Sequence, residues 1–230
     1  MRVAIVAGLA ALAVVGVALT VTLTRGPGFH EYADARVWLG IPHAGDVLSN
    51  VAFLIVAAYG LRHPYVSLGR TVCIGIAVIG VGSALYHVSP GDTTLAFDWA
   101  PIAITLGLLS AAVIRDRGGP GGIAMIVAVT FAIGSVAWWI CSGGTHGGNM
   151  APYVAVQAAG IALPPLVAVI ARGDVRTGWL FAGLAGFALA RVFAAYDRPL
   201  LDAIGISGHS LKHIAAAQAA ACALRALMRA

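Results

Sequence analysis

The chain has 230 residues, 60% of them hydrophobic and only 10% charged, where a soluble domain carries roughly a quarter charged residues. Its natural solvent is therefore lipid. At roughly 20 apolar residues per span the length holds about eight short-looped helices and no separate soluble domain. The formal charge of +5 does not mark a nucleic-acid binder, because the basic residues sit singly at the ends of apolar runs without interleaved aromatics.

Apolar runs separated by charge or by Gly/Pro breaks predict spans over 2–24, 45–61, 71–88, 97–114, 122–141, 151–171, 178–196 and 205–228. The first run follows Met1-Arg2 and is too long for a signal-peptide core, with no evident cleavage site before Arg25-Gly26-Pro27, so it reads as a retained helix. Gly118-Gly119-Pro120-Gly121-Gly122 breaks the chain between spans, and Gly143, Gly144, Gly147 and Gly148 do so around His146, which reads as solvated. Cys73, Cys141 and Cys222 lie in apolar segments without metal-binding spacing and read as small hydrophobes. Trp138 and Trp139 read as interfacial anchors.

Arginine placement sets the orientation. With the N-terminus inside, the inner segments hold Arg2, Arg62, Arg70, Arg115, Arg117, Arg172, Arg176, Arg225 and Arg229, and the outer ones only Arg25, Arg36 and Arg198. This bias puts both termini in the cytoplasm, and it suits a bacterial inner membrane. Oligomeric state is not encoded in any pattern of the chain.

Ionisable groups within spans are costly and mark function. Here they are Asp46, His87, Asp98, Arg191, His209, Lys212 and His213. His209 and His213 stand four apart, on one face of the last predicted helix, as a zinc-binding pair does. The spacing alone also suits two polar residues at a membrane interface. Ser83 and His87 share a face at the end of the third predicted span, and Asp98 opens the fourth, where an acid also suits a first helical turn, with Pro101 behind it. The alternation of spans brings all of these to one depth, near the outer leaflet. Three histidines with an open fourth position form a catalytic zinc arrangement, with Asp98 as proton carrier and Ser83 as oxyanion partner. Arg191 is expected to pair with Asp46 or Asp98. Lys212, next to His213, is expected to point away from the histidine face and to snorkel to the headgroups. His30, Glu31 and Asp34 occupy an outer loop that is either a lid or an ordinary surface loop.

The blocks Ser83-x-x-x-His87, Asp98 eleven residues on, and His209-x-x-x-His213, with Asp46-Val47-Leu48-Ser49-Asn50 ahead of them, resemble the alkaline ceramidases. These belong to the superfamily of seven-helix membrane hydrolases, sometimes called CREST, that includes the adiponectin and progestin receptors. The resemblance spans roughly residues 29–228. It implies an all-α fold with a seven-helix bundle over 29–230 and an extra transmembrane helix over 1–28. It also implies zinc on His87, His209 and His213, catalytic Asp98 and Ser83, and hydrolysis of ceramide to a sphingoid base and a fatty acid. Those ceramidases bind Ca²⁺ through an acidic amino-terminal segment, which only Glu31, Asp34 and Asp46 echo here. Two other functions compete with hydrolysis: a receptor or regulatory protein with structural zinc, and a transporter. No inverted repeat supports the transporter, and no nucleic-acid partner is expected.

Overall fold

The computed structural model describes residues 2–65, 68–143, 147–174 and 176–228, so Gly144, His146 and Arg229 lie outside the described residues. The described chain is all helical: α1 (Arg2–Thr20), α2 (Ala44–Ser49), α3 (Val51–Gly60), α4 (Gly69–Val88), α5 (Asp92–Asp116), α6 (Gly121–Cys141), α7 (Ala151–Ile170), α8 (Thr177–Ala195), α9 (Asp197–Ile204) and α10 (Gly208–Leu227). Helices satisfy every backbone group internally, which lipid demands.

Eight full spans were expected, and six described helices are long and apolar enough to cross a bilayer: α1, α4, α5, α6, α7 and α8. That is consistent with an integral membrane protein. The other two predicted spans depart for identifiable reasons. Residues 44–60 form a shorter apolar segment that is interrupted at Asn50, whose side-chain amide donates to the Asp46 carbonyl (2.8 Å). The last helix has the length but is diluted by His209, Lys212, His213, Gln218 and Arg225.

Successive helices alternate between two ends. At one end Val3 packs beside Gly119 and Tyr65 pairs with Met228, so both ends of the described chain lie together. At the other, the 21–43 segment meets the loops before α5, α7 and α10. Asn149 accepts from the Leu23 N–H (2.9 Å), and Asp197 accepts from the Ala33 N–H (3.0 Å). Helix α5 is central, packed against α4, α6 and α7, while α10 lies along α8 and α3. Helix α1 lies on α7 and turns most of its apolar surface outward, with Ile5, Leu9, Leu12 and Leu19 exposed.

Helix α5 begins at Asp92, so Asp98 is in its second turn and Pro101 lies inside it, not at the start that hydropathy suggested. The polar stretch Asp92-Thr93-Thr94 hides the first turn from a hydropathy window. Trp138 is exposed as an interfacial anchor would be, but Trp139 is buried, tilted against Trp99 at 4.9 Å between ring centroids.

Candidate metal centre

Two glycines let the site assemble. A Cβ on Gly82 would collide with the Phe97 carbonyl oxygen, so its absence lets α4 and α5 close up next to Ser83 and Asp98. A Cβ on Gly208 would likewise strike the Phe193 carbonyl, so the first turn of α10 fits under the end of α8. That turn is capped by Ser207, whose hydroxyl accepts from the Ser210 N–H (2.9 Å).

His87, His209 and His213 then meet, each offering one ring nitrogen, all within 4.8 Å of one another. Their ring centroids form a near-equilateral triangle: 4.7 Å for His87–His209, 5.0 Å for His87–His213 and 4.8 Å for His209–His213. Among the described residues this is the one group of three or more His, Cys, Asp or Glu side chains placed to hold a metal ion.

Two nitrogens of the triangle, His87 Nδ1 and His213 Nε2, are buried without any hydrogen-bond partner. A buried polar atom left bare is costly unless something binds it. The other nitrogen of His213 is engaged: Nδ1 is 2.8 Å from Ser49 Oγ, which is 3.0 Å from the Asp46 carbonyl oxygen. The hydroxyl gives its single proton to that carbonyl and accepts from Nδ1–H, leaving the Nε2 lone pair turned inward. This is how an outer partner fixes the tautomer of a metal-binding imidazole. The three histidines could therefore hold a metal ion.

Asp98 is buried beside the Ser83 hydroxyl. Both line a cavity of about 650 Å³ that also takes in His209 and His213. Along α4 the lining runs from Tyr86 to Val72, roughly 21 Å at 1.5 Å per residue. Its far part is apolar, with Ile76, Leu109, Leu180 and Ala223.

Lys212 does not point away. Its Nζ is 3.0 Å from His209 Nε2 and it lines the same cavity, because residues three apart share a helix face. Arg191 also lines the cavity, and among the described residues it forms no ion pair with Asp46, Asp98 or any other acid. Asp46 is buried and accepts from the hydroxyls of Ser207 (2.6 Å) and Ser210 (2.7 Å), so it anchors α10 to α2. Asp34 is buried against Arg36 (2.7 Å), whose guanidinium holds its carboxyl below the usual range. Glu31 is exposed. Asp34 and Asp46 are thus engaged separately, and among the described residues Glu31, Asp34 and Asp46 form no metal-binding group.

Sequence reading missed the roof. Tyr32 lays its ring on His87 (4.7 Å) and His209 (4.4 Å). Burial pushes its phenol well above the ordinary value, so it stays a donor, giving its proton to Tyr86 Oη (2.8 Å). Tyr86 Oη lies 2.9 Å from His30 Nδ1, and His30 Nε2 lies 3.0 Å from Asp92, which also pairs with Arg25. Asp197 completes the frame, accepting the His209 N–H at 2.9 Å on one oxygen and the Ala33 N–H on the other.

No family model, curated protein or solved structure matches the chain.

Proposed function

We propose that the protein is an intramembrane zinc-dependent amidohydrolase that cleaves a ceramide-like lipid into a sphingoid base and a fatty acid. The observation that carries this reading is the histidine triangle with two bare nitrogens, set beside Asp98 and Ser83 at the polar end of a long apolar cavity. His87, His209 and His213 would hold the ion. When bound, zinc supplies Lewis acidity and a water acidified towards neutrality.

The chain's own residues supply the rest. The apolar wall from Ile76 to Val72 takes a hydrocarbon chain and leaves its amide at the level of Ser83 and Asp98. The Asp98 carboxylate accepts a proton from the attacking water and returns it to the leaving amine nitrogen. Once Asp98 carries the proton taken from water, the Ser83 hydroxyl is free to turn its own single proton from Asp98 to the oxygen on which negative charge develops. Tyr32 and the 21–43 segment cover the site and exclude bulk water. The fold in this reading is a seven-helix bundle preceded by α1 as an extra span. Its arginine-rich end faces the cytoplasm with both termini, and the metal site lies near the outer leaflet.

The test is metal content and ceramide turnover of the detergent-purified protein beside two variants. Wild type is expected to hold about one zinc per chain, three histidines plus an open position being a catalytic set. His213→Ala is expected to lose both zinc and turnover. Asp98→Asn is expected to keep the zinc and lose on the order of 10²–10⁴-fold in turnover. A well-folded wild type without zinc, or zinc retained in His213→Ala, sinks the assignment.

A further inference from the structure

The charged lining of the cavity is unbalanced. Its one carboxylate is Asp98, which lies within electrostatic reach of Lys212, whereas two fixed cations, Arg191 and Lys212, face the same space. Arg191 makes no hydrogen bond or ion pair among the described residues. Lys212 has one hydrogen-bonding neighbour, His209 Nε2, and Asp98 is the main source of negative charge within its electrostatic reach, ahead of Asp46 and Asp197. The two cations and His209 lie within electrostatic reach of one another, so they repel. Metal on the three histidines would add two further positive charges.

A neutral amide lipid does not explain this. Its only negative charge is the transient one on the carbonyl oxygen, which Ser83 and the metal already serve. Asp98 answers Lys212 in part, which leaves Arg191, exposed and without an ion pair among the described residues, as the cation of this lining that a ligand's negative charge would answer. The placement agrees. Arg191 is one turn before the end of α8 and Lys212 lies in the second turn of α10, at the polar end of the cavity, while the hydrocarbon wall runs the other way.

We propose that the substrate carries an anionic group, a phosphate, sulfonate or carboxylate, on the amine side of its amide, seated between Arg191 and Lys212. This rests on the amidohydrolase reading for the amide but not for the anion. The acyl chain occupies the apolar length of the cavity, the amide lies at Ser83 and Asp98, and the anion is drawn to the two cations, Arg191 offering a bidentate fork.

The test uses the full chain in phosphatidylcholine nanodiscs and two probes of equal chain length, N-dodecanoylethanolamine phosphate and N-dodecanoylethanolamine. Affinity is read by calorimetry, cleavage by release of dodecanoate, and zinc content on every variant to confirm an intact site. Wild type is expected to bind the phosphate-bearing probe about tenfold or more tightly, the size of one charge-assisted contact. The ratio should narrow to under about threefold in Arg191→Gln and in Lys212→Gln, and reverse in Arg191→Glu, where like charges meet. Preference without cleavage removes the amidohydrolase reading and leaves the anion site standing. Cleavage of both probes with equal affinity leaves the hydrolase standing and overturns the anion site. A preference unchanged in Arg191→Gln overturns it too, as does binding of inorganic phosphate without binding of the phosphate-bearing probe.

Discussion

The two ends of the bundle handle polar groups in opposite ways. At the end that gathers both ends of the described chain, charges answer one another: Arg117 reaches Asp174 at 2.8 Å and Arg176 reaches Asp116 and Asp174 at 3.1 Å each. These pairs join the loop after α5 to the loop after α7 near the surface. At the opposite end most polar atoms also have partners, through Asp46, Asp197, Tyr86 and His30, yet the network stops at bare nitrogens on His87 and His213. A network that closes on itself is a staple. One that converges on three clustered imidazoles is a candidate site. The same residue types serve both, and single bare atoms occur at both, Arg117 Nε among them; what separates the ends is the convergence of three imidazoles on one point.

Three perturbations sharpen the contrast. The largest effect is expected from Gly82→Ala, whose methyl would press on the Phe97 carbonyl. It should destabilise the fold by about 1–3 kcal/mol and lower turnover on the order of 10²-fold by shifting Ser83 against Asp98. Gly178→Ala at the opposite end meets nothing within 4 Å and should change neither. Thermal denaturation and turnover on the same preparations check this, and equal effects from both substitutions would erase the distinction. Next is Ser49→Ala, which releases the Nδ1 of His213. Zinc affinity should weaken by about 10–100-fold, read by competition with a chelator, with the fold retained. Unchanged affinity would mean that Ser49 does not orient the ring.

The smallest effect belongs to the ion-pair end. The hydrogen bond from Arg117 lowers the Asp174 carboxyl to about 2, against about 3.9 in an unfolded chain. A depressed carboxyl stabilises above its unfolded value and loses that contribution as pH falls through the folded one. The loss should therefore appear between about pH 4 and 2, amounting to well under 1 kcal/mol because the pair is near the surface. Arg117→Gln should flatten the melting temperature in that window and leave zinc content untouched; a loss of zinc would show that the two ends are coupled.

The histidine triangle and Asp98 were legible because helical spacing and the alternation of spans are both written in the order of residues. His209 and His213 share a face by periodicity alone, and crossing direction brings His87 and Asp98 to their depth. Lys212 was misplaced by weighing its adjacency to His213 over its three-residue spacing from His209. Asp92 and the first turn of α5 were lost because a polar helix start looks like a loop to hydropathy. Tyr32 and His30 were out of reach, since no periodicity encodes the path of the 21–43 segment, and only the fold shows it crossing the site. Ser49 stood within a recognised block, but its contact with His213 spans 164 positions.

Tyr32 touches two of the three histidines with its ring and holds Tyr86 with its hydroxyl, which leads through His30 to Asp92. Drawing His87 and His209 together around an ion moves the surface on which that ring rests. That displacement would be passed to the 21–43 segment. Thermodynamic linkage runs both ways: whatever grips the loop from outside, an antibody fragment or a cross-link, changes the affinity of the buried ion by the same factor as the ion changes the grip. An outside ligand could thus read, or set, whether the interior is loaded.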